Sequence, residues 1–211
     1  MKLTKFEHAC LVLEKEGSCL VIDPGMFTTP LTDLTEVVAI VITHEHTDHW
    51  TAEQLLRIQE RNPHARIFGP AGVAAAASEF AIEVVAHGDR IEVGPFTLEF
   101  FGEKHAVIHE SIPIVDNVAV LVDGSFYYAG DSYTLPGVPV RTLAVPIGAP
   151  WLKIGDAMDY VLAIAPRNSF PVHDAPLSQI GKGMTQSRIE AMTKQVGGEY
   201  HLLEVGDTLD L

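Results

Sequence analysis

The sequence predicts an α/β fold made as one domain over residues 1–211, and three observations carry that expectation. Short β-branched apolar runs such as Val37-Val38-Ala39-Ile40-Val41-Ile42 recur along the chain and read as buried strands. Segments with apolar residues at helical spacing lie between them, although strands outnumber helices in the first half. No Ser/Gly/Pro-rich linker or block of like charge divides the 211 residues. Hydrophobic residues make up 47% of the chain and charged residues 20%, which favours a well-buried core over disorder.

Leu3 to Leu13 and Ser18 to Ile22 read as an opening hairpin around Glu14-Lys15-Glu16-Gly17, ending at Asp23-Pro24-Gly25. A symmetric hairpin pairs Val12 with Cys19 and Cys10 with Val21. The thiols are then diagonal neighbours at roughly 7 to 8 Å, too far for an easy disulfide, and two buried free thiols are expected. After the strand at 37–42, Thr51-Ala52-Glu53-Gln54 has the form of a capping box, with Trp50 as a staple and Leu55, Leu56 and Ile58 as an apolar face. That helix ends near Asn62-Pro63. Ala65 to Phe68 is a short strand, and Gly69-Pro70 opens an Ala-rich helix to about Phe80. Ile82 to Val85, Arg90 to Val93 and Phe96 to Phe101 are strands separated by turns at Gly88-Asp89 and Gly94-Pro95. Further strands cover Phe126 to Ala129, Thr142 to Val145 and Arg167 to Val172. Helices are expected over Asp156 to Ala165 and Thr185 to Val196, the latter with Ile189, Met192 and Val196 on one face.

The chemistry concentrates in Thr43-His44-Glu45-His46-Thr47-Asp48-His49, where the strand at 37–42 ends. In extended backbone, residues i and i+2 point the same way, so His44 and His46 converge on one metal ion. Asp48 and His49 follow once the chain has begun to turn, and can face a second ion. A His-rich turn can also be a solvated loop or a helix cap, but neither needs this spacing. Three further candidates each follow an apolar run: His105 after Phe101, Asp131 after Gly130, and His173 after Val172. Singly, such a residue is ordinary loop chemistry.

The pattern H-x-H-x-D-H, after an apolar strand and before a helix, resembles the metal-binding signature of the metallo-β-lactamase fold superfamily. The order His105, Gly130-Asp131, His173 matches that superfamily's remaining ligands. The resemblance implies a four-layer αββα sandwich, with two mixed sheets face to face and the metals at one edge. It implies that His44, His46 and His105 hold one divalent ion, that Asp48, His49 and His173 hold another, and that Asp131 bridges them. An all-nitrogen-and-oxygen set suits zinc first, with manganese or iron as alternatives. Pro146-Ile147-Gly148 resembles a loop of the ascorbate phosphate lactonase-like branch, a group of UPF metal-dependent hydrolases, and there Trp151 would wall the substrate or else simply pack on the core. His8, in Glu7-His8-Ala9-Cys10, resembles a histidine of the same branch. Asp23 either bonds its own turn or, as in the superfamily, orients a ligand histidine. His105 and His109 share a face whether the segment is helical or extended. Position favours His105 as the ligand and leaves His109 as a substrate-side group, an outer support or a loop residue.

The resemblance implies a hydrolase in which two ions activate a hydroxide, and in which Asp48 orients the nucleophile and accepts its proton. A small ester-like substrate is expected, with a lactone favoured. The alternatives are a phosphodiesterase or nuclease of the same fold, or a metal-binding protein without turnover. The formal charge of −14 and the lack of a Lys/Arg cluster argue against a nucleic-acid partner. The start Met1 to His8 lacks the apolar core of a signal peptide, and no apolar run reaches bilayer length. The expectation is therefore a cytoplasmic protein with a small-molecule substrate and no membrane partner, compatible with a homo-oligomer.

Overall fold

The segment Phe96–Phe101 shows how the sheets are made. Its buried and half-buried residues alternate strictly, so one face of the strand enters the core. A computed structural model describes residues 1–211 and contains fourteen strands and four helices. The strands are β1 (Lys2–Lys5), β2 (Leu11–Lys15), β3 (Ser18–Ile22), β4 (Val37–Val41), β5 (Arg66–Gly69), β6 (Ile82–Val84), β7 (Arg90–Val93), β8 (Phe96–Phe101), β9 (Ala119–Val122), β10 (Phe126–Tyr128), β11 (Thr142–Pro146), β12 (Asn168–Val172), β13 (Glu199–Tyr200) and β14 (Thr208–Asp210). The helices are α1 (Ala52–Arg61), α2 (Ala71–Ala76), α3 (Ile154–Ile164) and α4 (Gln179–Gln195).

Two seven-stranded sheets result, in the orders β14-β1-β2-β3-β4-β5-β6 and β13-β12-β11-β10-β9-β8-β7. Each is antiparallel in one half and parallel in the other, β3 to β6 in the first and β10 to β13 in the second. Three apolar clusters define the layers. The largest, of 23 residues, joins the inner faces through side chains such as Leu20, Val41, Phe100 and Phe170. A second joins the outer face of the first sheet to α1 and α2, with Ile40, Leu55, Ile58 and Val73. The third joins the outer face of the second sheet to α3 and α4, with Leu143, Tyr160, Val161 and Ile189. Helix, sheet, sheet and helix therefore stack as the predicted αββα sandwich. Burying Leu55 and Ile58 alone supplies roughly 1.5–3 kcal/mol each toward holding α1 behind β4. No helix is long and apolar enough to cross a membrane.

Several local expectations are corrected. The opening segment is two strands, because Phe6 to Cys10 leaves the sheet in a loop where His8 takes a positive φ of 61°. The β2–β3 hairpin pairs Val12 with Val21 and Glu14 with Cys19, a register two residues tighter than the symmetric one. Its turn is only Glu16-Gly17, both left-handed, which matches the twist of the flanking strands. Both cysteines are free, but only Cys10 is buried; Cys19 is half-buried. Thr51 caps α1 by accepting the Gln54 N–H at 3.2 Å, but Gln54 does not reach back as a capping box requires. Its side chain instead holds the loop at 28–31 through Thr28 O, Thr29 O and Leu31 N. Helix α2 stops at Ala76, well short of Phe80. Helix α4 starts at Gln179, where Ser178 caps it by accepting the Gly181 N–H.

Candidate metal centre

The carboxyl ends of β3, β4, β8, β10, β11 and β12 lie at one edge of the sandwich, and every candidate ligand lies on a loop leaving them. Asp23, just after β3, organises the first group. Its Oδ1 accepts the Thr43 N–H at 2.8 Å, and its Oδ2 accepts the Thr43 hydroxyl at 2.7 Å and His49 Nδ1–H at 2.7 Å. Since the Thr43 hydroxyl donates to Asp23, its oxygen accepts from His44 Nδ1–H at 3.1 Å. Both imidazoles therefore keep Nδ1 protonated and turn the Nε2 lone pair inward. His44 Nε2 lies 3.1 Å from His46 Nδ1, two ring nitrogens aimed at one point.

The second half is built on backbone carbonyls. His105 Nδ1–H donates to Ala106 O, and His173 Nδ1–H donates to Gly148 O at 2.6 Å, which again leaves Nε2 free on each ring. Asp131 N–H donates to Asn117 Oδ1, and Asn117 Nδ2 donates to Ala129 O, so one buried amide fixes the Gly130 turn. A Cβ on Gly130 would stand 2.5 Å from that Asn117 oxygen, and its φ is +61°, so glycine is required twice over. Trp151 Nε1–H donates to Asp131 Oδ2 at 2.8 Å, and its ring meets those of His105 and His173 edge-on. Ala175 N–H donates to His8 Nδ1, so His8 Nε2 carries the proton and donates to Asp48 Oδ2 at 3.1 Å.

Three groups of ligand atoms emerge: His44, His46 and His105; His8, Asp48, His49 and His173; and His44, His49 and Asp131. With His8 acting as a donor to Asp48, the second group offers Asp48, His49 and His173. Asp131 shares its oxygens between both sides, at 3.3 Å from His49 Nε2, 3.4 Å from His105 Nε2 and 3.0 Å from His173 Nε2. Yet His49 Nε2, His105 Nε2, His173 Nε2 and Asp131 Oδ1 are buried without a hydrogen-bond partner. Polar atoms that approach so closely without bonding are what a cation between them would satisfy, and the donor set fits a divalent metal.

Electrostatics divide the same way. Burial, followed by the neighbouring His49, pushes His44 well below the ordinary imidazole range, and burial and His105 lower His46. Burial is the largest single effect on His49 and His173 and works against charge, but the carboxylates together outweigh it, Asp131 with Asp23 at His49 and Asp131 with Asp48 at His173. Without a cation His49 ends well above its usual value and His173 is pushed up to about 9, and a bound metal would displace the proton from Nε2 of each ring. Burial raises Asp48 and Asp131, but the imidazoles bring both carboxyls far below the usual range. Burial lowers His8 and keeps it neutral, as a donor to Asp48 must be for its other nitrogen to accept.

His109 lies apart from these groups, in an exposed loop where its Nδ1 bonds Ser111. Sequence reasoning named Gly148 only within the Pro146-Ile147-Gly148 loop and gave no role to Thr43, Asn117 or Asp174. Asp174 follows His173 and faces two lysines, the wholly buried Lys5 at 3.6 Å and Lys182 at 2.9 Å, which pins the loop that carries His173. A lysine among the alternating residues of β1 was the available signal.

Residues 2–173 match the family described as the beta-lactamase superfamily domain. A Mycobacterium tuberculosis protein, Rv0786c, is 37% identical over 198 residues, which cover 92% of this chain and 93% of its own length. A UPF0173 metal-dependent hydrolase of Anoxybacillus flavithermus is 27% identical over 173 residues, 74% of each chain. The solved structure of Igni18, a metallo hydrolase of Ignicoccus hospitalis, has a TM-score of 0.74 at 19% identity, covering 99% of this chain and 97% of that one, a likeness of fold. With a family match over most of its length and a UPF0173 protein of Pyrococcus abyssi 30% identical over 82% of this chain and 83% of its own length, the chain belongs to the metallo-β-lactamase superfamily, in its UPF0173 branch.

Proposed function

We propose that this chain, a metal-dependent hydrolase by family, holds two divalent ions and cleaves a small ester-like substrate, a lactone in the first instance. The observation that carries the reading is the set of inward-facing, unbonded Nε2 and Oδ atoms at the sheet edge. His44, His46 and His105 would hold one ion, Asp48, His49 and His173 the other, with Asp131 between them. Zinc fits this donor set first. When bound, two such ions supply an activated water at neutral pH and polarise the carbonyl under attack. Asp48 orients that water and accepts its proton, and the His8 N–H fixes which Asp48 oxygen remains available. Trp151 holds Asp131 in place and closes one side of the centre to bulk water. We infer a small-molecule partner, because no Lys/Arg cluster offers a surface for a polyanion.

The test is a panel of lactones, thioesters, phosphodiesters and β-lactams, run on metal-loaded wild type and on Asp48→Asn. The wild type is expected to turn over lactones, and Asp48→Asn to lower kcat by about 100-fold or more. Inertness on every class would refute the hydrolase reading, and cleavage of bis-p-nitrophenyl phosphate alone would replace it with a phosphodiesterase.

A further inference from the structure

We propose that the substrate is uncharged and carries an apolar portion several carbons long, and is not a phosphorylated or carboxylated sugar derivative; this rests on the hydrolase reading above. Three of the loops that form the centre carry apolar side chains that are exposed or half-buried. After β3, Met26 and Phe27 are 58% and 44% exposed. Met26 N–H is bonded to Thr47 O inside the histidine motif, and the Phe27 ring stands 5.1 Å from that of His8, which bonds Asp48. After β8, Val107 is 60% exposed and directly follows Ala106, whose N–H is bonded to Asp131 O. After β11, the half-buried Trp151 lies on Asp131. Scattered exposed apolar residues need no explanation, but side chains of this size converging on a catalytic cluster do.

Most cations near the centre are already engaged. A phosphate or carboxylate on the substrate would need a free Lys or Arg, or a bare helix N-terminus. Lys5 and Lys182 both face Asp174, Lys104 bonds Asp116 at 2.7 Å, and Lys153 stands 3.7 Å from Asp156, while Arg57, beside Gly25 and Met26, has no acidic partner. The N-terminus of α1, behind the motif, is capped by Thr51 and carries Glu53 in its first turn. Glu103 and Glu110 add negative charge on the loop after β8, Glu45 on the loop after β4 and Glu7 on the loop after β1. Away from the ions themselves an anionic group would meet these carboxylates, whereas an alkyl chain would cover Met26, Phe27 and Val107.

The experiment is calorimetric titration of the metal-loaded protein with alkyl hydroxamates from two to ten carbons, together with suberic acid monohydroxamate as the anionic member. Affinity is expected to rise by about twofold to fourfold per methylene, the range for partial to full burial. The carboxylated compound should bind more weakly than the neutral one of equal length, and Phe27→Ser should lower the gain per methylene. Acetohydroxamate, the head group alone, separates the two readings. If it fails to bind, the metal centre itself is wrong and this proposal falls with it. If it binds while the series is flat, or the carboxylated member binds more tightly, only the substrate class is overturned. A chain that sediments as a dimer in wild type and as a monomer in Phe27→Ser, with a flat series, would make these loops a subunit interface and also overturn it.

Discussion

Asp23 fixes two ligand rings at once, because its carboxylate takes His49 Nδ1–H directly and His44 Nδ1–H through the Thr43 hydroxyl. Support of this kind typically changes metal affinity by ~10 to 100-fold when removed, and loss of a direct ligand costs more. Competitive metal titration should therefore rank three variants: His105→Ala weakest, Asp23→Asn intermediate, His109→Ala indistinguishable from wild type. A His109→Ala variant that loses an ion while His105→Ala keeps both would contradict the arrangement. The i, i+2 spacing of His44 and His46 made their convergence readable from sequence. The tautomer-setting partners of His105 and His173 are the carbonyls of Ala106 and Gly148, and a main-chain oxygen leaves no mark in residue type. Asp23 was ambiguous for a similar reason: its turn role and its orienting role ask for the same residue.

At the scale of elements, the centre depends on loops that pass one another closely. A Cβ on Gly25 would stand 1.7 Å from the carbonyl oxygen of Asp48, so the loop after β3 can cross the histidine motif only with glycine there. Gly25→Ala should lower stability by ~3 kcal/mol or more, since backbone and not a flexible side chain must move. It should also weaken the ion assigned to Asp48 and His49. Urea melts and metal analysis check both, and an unperturbed variant would refute the close approach. Strand positions were legible wherever apolar runs met Gly, Pro or Asp. The α4 start was not, because Gly181 and Gly183 read as breakers until the Ser178 cap is seen. The hairpin register was hidden too, because Glu16 at φ 51° gives no sequence signal for a two-residue turn.

For the whole molecule, two of the three apolar interfaces bury groups that ionise only at high pH. Burial pushes the Cys10 thiol and the Tyr127 and Tyr160 phenols upward. Their pKa values are higher in the folded chain than in the unfolded one, so their contribution to stability is complete below the unfolded values of roughly 8.5 to 10. Above that range the unfolded chain releases protons that the folded chain retains, and stability falls as pH rises. Thermal melts of the metal-loaded protein, in which a bound cation would take the place of the extra protons on His49 and His173, should hold steady from pH 7 to about 8 and decline above about 9, and a flat profile to pH 11 would contradict the burial of these groups. The sandwich in turn brings six strand ends to one edge, which is where the proposed two-ion centre would lie. Calorimetric titration of chelator-treated protein with zinc tests that claim most directly. Two ions bound per chain is the predicted result, and one ion or none, with the protein folded, would contradict it.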